Sequence, residues 1–562
     1  MTPFKSTLKV VCLIFLFLIN SCKDKTQKLN PALATIDLKR GELLLCSTEP
    51  FGDVNFSLSC NYETRETFNL AIALLHSFEY AEAEKAFVKV LDADPECAMA
   101  YWGVAMSIYH SLWMQSDLGY LEKGEKLLKF AQTIPASELE KEYIDAINVY
   151  YKDWDSVDLI SRKLLYEEKM ETLYNKHKED TEVAAFYALA IRAAANPNDT
   201  SYSRQKKSGK ILEDLFKKYP NHPGIAHYVI HNYDYPELAE KALPTARKYA
   251  EIAPASAHAQ HMPSHIFTRL GLWQESIDTN INSTSAAVCY AESINPEANW
   301  DQEIHAVDYM VYAYLQMGNN KKAQEHLEEM QAVDDVFPKQ TLATTYALTA
   351  IPVRMVLENK DWKKASTLHL PSIDFTWETL HWEKAIFHFG KALGFSHLGD
   401  IKSAENQLKT LKTLHQNLVD LKDDYKSGQV NIQVHAAEAW IHLAKGNETE
   451  ALSFMKQAAK LESETTKHPV TPGEVLPAYE LLGDMLLALN KPAEALEAYE
   501  VNLKGHPGRF NGIYGAAKAA VQSGNKEKAR FYYKQLLELT KTSNSDRVEI
   551  IEAKSYVSKI AI

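Results

Sequence analysis

Tyr479-Glu480-Leu481-Leu482-Gly483-Asp484 opens a stretch that runs through Lys491-Pro492-Ala493-Glu494-Ala495-Leu496-Glu497-Ala498-Tyr499 to Pro507, and its spacing decides the fold. Gly483, Ala495 and Tyr499 return as Ala517, Ala529 and Tyr533, each 34 residues later. A fixed period of that length marks an array whose unit is a helical hairpin. Small side chains at Gly483 and Ala495 let the two helices of a unit approach closely. Tyr499 fills the groove against the next unit, and Pro507, which has no amide proton to donate, ends the second helix. The same frame fits Leu70, Ala71, Ala83, Phe87 and Pro95 near the N-terminus, and Gly446, Ala451 and Ala458 in a further unit. Ala451 and Ala495 are 44 residues apart, ten more than one period; the excess falls in His468-Pro469-Val470-Thr471-Pro472-Gly473, which predicts a loop between units. Fainter units surround Gly271, Ala323 and Gly399.

The aromatic at Tyr479, Leu482, Gly483, Ala495, the aromatic at Tyr499 and the closing Pro507 match the tetratricopeptide pattern. The expected fold class is therefore all-α, a right-handed superhelical solenoid of tetratricopeptide-like hairpins. Composition agrees. Of 562 residues, 46% are hydrophobic, with only 21 Gly and 21 Pro, too few turn formers for a sandwich of short strands. A solenoid packs such a chain because each hairpin buries its apolar face on its neighbours. The division expected is a leader at 1–21, a tether and entry segment at 22–64, an N-terminal helical array with a His-rich region at 65–330, and a C-terminal array at 331–562.

Further stretches carry a narrower resemblance: Leu74-Leu75-His76-Ser77-Phe78 leading to Cys97-Ala98-Met99-Ala100-Tyr101-Trp102-Gly103, then His261-Met262-Pro263-Ser264-His265-Ile266, then His468 to Gly473 running into Leu481-Leu482-Gly483-Asp484. Together they resemble a bacterial family of exported or membrane-associated tetratricopeptide proteins without established activity, over about residues 60–540. The resemblance implies architecture and little chemistry.

Lys5 and Lys9 precede an apolar run from Val10 to Ile19, followed by Asn20-Ser21-Cys22. Ten apolar residues are too few to span a bilayer, which needs about twenty, and the run reads as an export signal. It resembles the bacterial lipoprotein signal, which implies cleavage before Cys22 and acyl chains (diacylglycerol on sulfur, palmitate) on that residue, an anchor of about 0.8 kcal/mol per buried methylene. Lys23, where an Asp often means inner-membrane retention in such lipoproteins, implies the outer membrane, with the chain periplasmic or surface-exposed. Cys12 falls in the leader, leaving Cys46, Cys60, Cys97 and Cys289 in an oxidising compartment. A Cys60–Cys97 or Cys46–Cys60 bridge, or buried free thiols, fit equally.

With 61 basic and 74 acidic side chains the net charge is −13, and no basic face is built that would neutralise phosphates, so nucleic acid is excluded as a partner. His-Glu-x-x-His, Gly-x-Ser-x-Gly and Gly-x-Gly-x-x-Gly are absent. Gly119 to Lys126 imitates a phosphate loop, but Glu125 stands where Lys belongs, and no hydroxyl follows it. Glu138, Glu140 and Glu142 read as a solvated helix face. Trp102, Trp113, Trp154, Trp273, Trp300, Trp362, Trp377, Trp382 and Trp440 read mostly as filling between repeats, with Trp377 and Trp382, after Pro371, expected to be exposed.

His227, His231, His258, His261, His265 and His305 fall within 79 residues. His227 with His231 and His261 with His265 are His-x-x-x-His pairs, which on a helix set two imidazoles on one face where one metal takes both. His305 offers a third ligand, and Asp308, three residues on, a carboxylate behind it. The candidate metal ligands are His227, His231, His261, His265 and His305, suited to Zn²⁺, with Cu²⁺ or Ni²⁺ also fitting imidazole. Pro263 belongs in a first helical turn, which would set His261 ahead of that helix. The competing expectation is that these histidines pack between helices and donate to backbone carbonyls freed by Pro236, Pro244, Pro254 and Pro263. In function, the sequence points to a non-enzymatic, lipid-anchored scaffold that binds a protein or peptide partner in the cell envelope, accessory to glycan or peptide uptake. The alternative is a metal-binding protein or metal-dependent enzyme centred on His227–His305.

Overall fold

The computed structural model of the chain describes residues 35–46, 51–112, 117–196, 199–466 and 468–560. The leader, Cys22 and Trp113 lie outside them. Helices follow one another from Arg65–His76 to Val548–Ile560. The first hairpin pairs Arg65–His76 with Tyr80–Ala93, then Ala98–Ser107 packs on it. Glycine is required at that junction, since a Cβ on Gly103 would stand 2.3 Å from the Phe87 ring.

The origin of the period is visible at the C-terminal end, in helices Ala478–Ala488, Pro492–Gly505, Phe510–Gln522 and Lys526–Leu539. Tyr499 lies between Gly483 and Gly515, whose added Cβ atoms would come within 2.7 and 2.3 Å of its ring. Its hydroxyl donates to Asp484 Oδ1 at 2.6 Å. Helix Pro492–Gly505 stops two residues before Pro507, as expected. Residues 468–473 are non-helical, and the Gly473 carbonyl accepts from the Tyr346 hydroxyl at 3.1 Å. Among the described residues the helical body includes a two-residue parallel ladder pairing Asn299 with Val336 and Trp300 with Phe337.

The described residues of the entry segment are held by the array. Phe51 and Phe56 are buried; Lys39 N donates to Glu84 (2.8 Å), Leu44 N to Glu82 (2.9 Å) and Ser59 N to Glu140 (2.8 Å). Two disulfides pin it. Cys60–Cys97 forms, one of the two bridges considered, but Cys46 pairs with Cys289, 243 residues away, and not with Cys60. Glu82 explains the pairing, because it accepts from Leu44 N and from the Tyr290 hydroxyl (3.0 Å), drawing both cysteine-bearing segments to one carboxylate.

The array also folds onto itself. Arg509, fully buried, donates to Glu480 at 2.8 and 2.9 Å, to Glu358 at 2.7 Å and to the Tyr312 hydroxyl at 2.9 Å, 197 residues away. Trp273 Nε1 donates to the Gly508 carbonyl at 2.8 Å. An open solenoid would contact only its neighbouring units; here the C-terminal units close against helix Asp301–Gln316.

Three expectations are corrected. Trp382 is 4% exposed, its ring 5.0 Å from Tyr346, because it sits in the first turn of helix His381–His397 instead of in a loop; Trp377 is half-buried. Glu140 is 1% exposed, closing a capping box with Ser137 while accepting from Ser59. Asp308 does not stand behind His305; it pairs with Arg354 at 2.5 Å.

Candidate metal centre

Helix Pro223–Tyr233 carries His227 and His231, and its start is fixed by His222, which accepts from Ile225 N, with Pro223 in the first turn. Ala257–His261 carries His258 and His261, with Ser256 as its cap, and Pro263–Leu270 carries His265. Pro263 does start a helix and His261 does precede it. Yet Met262 between them keeps helical angles (φ −54°, ψ −37°), so the turn continues and the four-residue spacing survives. His305 comes from Asp301–Gln316.

One ring nitrogen from each of His261, His265 and His305 lies within 4.8 Å of the other two, and all three side chains are buried. Hydrogen bonds from behind the rings orient two of the imidazoles. Asn280 donates through Nδ2 to the Ser276 carbonyl at 2.7 Å, so its Oδ1 accepts, and His261 Nδ1, 2.7 Å away, carries a proton. His265 Nδ1 faces Asp234 Oδ2 at 3.0 Å, and the carboxylate, an acceptor only, is held by Arg269 Nε at 2.9 Å. His261 Nε2 is thereby left as an acceptor; it lies 3.0 Å from His265 Nε2, which the Tyr309 hydroxyl also approaches at 3.4 Å. Burial, with His305 and His265 nearby, holds His261 well below the usual imidazole range. A 3.0 Å separation of two ring nitrogens requires a shared cation, either a proton on His265 Nε2 or a metal ion, and carboxylate-backed histidines present Nε2 to metals in this way. The His305 ring centroid is 4.2 Å from that of His261.

One ring nitrogen from each of His227, His231 and His258 likewise lies within 4.8 Å of the other two, forming a second triad. His227 Nδ1 donates to the His76 carbonyl at 2.7 Å, at the end of helix Arg65–His76 and not at a carbonyl freed by Pro236, Pro244, Pro254 or Pro263. His227 Nε2 is buried and has no hydrogen-bond partner among the described residues. Burial holds His227 and His231 well below the usual range and lowers His258 to about 4, so all three are neutral and able to bind metal at pH 7. The five sequence-derived ligands thus divide three and two between adjoining triads, His231 and His265 being 6.5 Å apart by ring centroid.

A third cluster was not anticipated. Glu182 accepts from His76 Nε2 at 2.8 Å and from His222 Nε2 at 2.9 Å. The Tyr228 hydroxyl meets His76 Nδ1 at 2.8 Å, and Ile225 N meets His222 Nδ1 at 3.2 Å. Burial pushes Glu182 up, but His222 and His76 together hold it well below the carboxylate range. Every ring nitrogen here is engaged, so the cluster braces helices and its two imidazoles present no unused lone pair. Sequence reasoning also missed Asp234 and Asn280, whose partners lie 31 and 19 residues away.

A tetratricopeptide repeat family model matches residues 512–543. Comparison with curated proteins gives no match. Among solved structures, a human IFIT1 dimer with PPP-AAAA is 12% identical, over 86% of this chain and 96% of that one, with a TM-score of 0.37. The APC/C hetero-tetramer Cut9-Hcn1 is 11% identical, over 88% and 89%, with a TM-score of 0.31. The chain contains a tetratricopeptide repeat within a helical, solenoid-like body.

Proposed function

We propose that this protein is an envelope protein, anchored through acylated Cys22 at the outer membrane, whose tetratricopeptide scaffold encloses a transition-metal site at His261, His265 and His305. One observation carries the reading: the Nε2 atoms of His261 and His265 stand 3.0 Å apart while both Nδ1 atoms are committed to acceptors. Three imidazoles suit Zn²⁺ with a fourth position left for water or a partner's group, and suit Cu²⁺ or Ni²⁺ also. Protein purified without a His tag and supplied with Zn²⁺ retains stoichiometric metal through gel filtration, and His261→Ala/His265→Ala loses it. Absence of metal after supplementation would end this reading.

The interaction role has its own support. A cleft of about 550 Å³ among the C-terminal units is lined by Lys360, Trp362, His397, Trp440, Asp484 and Lys518. Trp440 is 6% exposed, and its Nε1 has no partner among the described residues. This donor, with aromatic walls and both charge signs, suits a protein or peptide segment from an envelope partner, including one of a nutrient-uptake system. Pull-down from native envelopes tests it: a partner retained by the wild type and lost with Trp440→Ala supports it, and identical recoveries reject it.

A further inference from the structure

The site at His261, His265 and His305 does not use the imidazoles packed beside it. We propose that His227, His231 and His258 hold a second divalent transition-metal ion, so that the molecule carries a binuclear, all-histidine centre. The inference rests on the metal reading above and extends it to a second ion.

Four observations support it. First, the His76 carbonyl takes the proton of His227 Nδ1 at 2.7 Å, so Nε2 is a bare lone pair, in a side chain 0% exposed and with no partner among the described residues. A buried polar atom left unmatched costs about 1–3 kcal/mol, and a metal would satisfy it. His258 Nε2 is likewise buried and without a hydrogen-bond partner among the described residues, while Gln302 lies within reach of the His258 ring. Second, one ring nitrogen from each of the three side chains lies within 4.8 Å of the others. Ligands at about 2.0–2.1 Å from one ion stand roughly 3.4 Å apart, so small rotations close the set. Third, Phe78 walls the triad, its centroid 4.4, 5.4 and 5.7 Å from His227, His231 and His258, excluding water from one side. Fourth, the His76–Glu182–His222 cluster shows what saturated histidines look like in this same fold, with every nitrogen engaged.

The donor set excludes Mg²⁺ and Ca²⁺, which take oxygen ligands, and fits copper, zinc or nickel. The His231 and His265 centroids, 6.5 Å apart, bring two such ions within range of magnetic coupling. Carboxylates stand near both ends, Asp234 already paired with Arg269 and Glu79 pushed up to about 7 by burial. Asp234 backs His265, and Glu79 accepts from Ser256 (2.6 Å) at the cap of the helix that carries His258.

The test is a Cu²⁺ titration of the tag-free, metal-stripped chain in the presence of a weak chelator, read by bound metal and by electron paramagnetic resonance. The expected result is two retained equivalents, with the second broadening or quenching the signal of the first. His258→Ala and, independently, His227→Phe should each hold one equivalent with an isolated, uncoupled signal; folding is checked by circular dichroism, and the wild-type spectrum needs no variant. One equivalent in the wild type, abolished by His261→Ala, would overturn the second site and leave the first. Two uncoupled equivalents, or two in both variants, would also overturn it. No retained metal at all would remove both readings.

Discussion

The carbonyl oxygen of His76 accepts a 2.7 Å hydrogen bond from Nδ1 of His227, 151 residues further along the chain. The bond fixes which nitrogen of His227 is bare. His76 is itself set by Glu182, which His222 also grips. Glu182 is therefore a positioning residue two steps from the proposed ligand. Glu182→Gln replaces one carboxylate oxygen with a donor and strands an imidazole N–H, which should cost about 1–3 kcal/mol of stability. Loosening of the groups that hold the ligand in place should also weaken metal retention about 10–100-fold. Chelator competition measures the second effect, and unchanged affinity alongside reduced stability would confine Glu182 to bracing.

Gly483 and Gly428 give a paired test of the repeat frame. A Cβ on Gly483 meets three atoms of the Tyr499 ring at 2.7 to 2.8 Å, so Gly483→Val should force the hairpin apart at about 1–3 kcal/mol. Gly428, inside helix Asp424–Ala444, has nothing within 4 Å, and Gly428→Ala should gain up to about 1 kcal/mol. Urea unfolding of both variants checks the opposite signs.

What the sequence disclosed follows how local each constraint is. The 34-residue period was legible because one packing problem, an aromatic against two small residues, recurs with each hairpin, and Tyr499 between Gly483 and Gly515 is that problem solved. His261 and His265 were legible because four residues is a helical turn. Asp234, Asn280 and the His76–Glu182–His222 cluster were not, since tertiary packing brings these partners together from distant helices. Asp308 misled for the same reason, being claimed by Arg354 from another helix. Glu140 was readable after all, because Ser137 three residues before it is the capping-box signature.

The disulfides should carry measurable stability. Cys60–Cys97 closes a loop of 37 residues and Cys46–Cys289 one of 243. Chain entropy assigns them about 4 and about 5 kcal/mol in turn. Peptide mapping without reductant should recover both linked pairs, and Cys46→Ser/Cys289→Ser should lower the denaturation midpoint more than Cys60→Ser/Cys97→Ser. The reverse order would mean that the entry segment stays ordered without its longer bridge.

Arg509 neutralises Glu358 and Glu480 where no water reaches them. Arg509→Met leaves two buried carboxylates facing each other, and breaking such a set costs about 3–5 kcal/mol. Adding Glu358→Gln and Glu480→Gln to Arg509→Met removes the stranded charges and should recover part of the loss. Calorimetry of the single and triple variants decides this; no recovery would show that Arg509 acts through its bonds to Tyr312 and not through charge.

His397 supplies the pH dependence. Its ring lies 3.7 Å from Trp362 at an interplanar angle of 5° and 4.2 Å from Trp440. Burial lowers its pKa to about 4; Asp484 works against the shift and Lys360 with it. The unfolded chain, with an ordinary imidazole near 6.5, takes up a proton earlier than the folded one as pH falls. The stability held by neutral His397 is therefore complete above about 6.5 and is lost progressively down to about 4. His397→Phe keeps an aromatic plane between the two indoles and has no proton to take up. Urea midpoints should nearly coincide at pH 7.5, and by pH 4 the wild type should trail the variant by on the order of 2–3 kcal/mol. A gap constant with pH would mean that the imidazole is protonated between the tryptophans, which would then hold it as a cation.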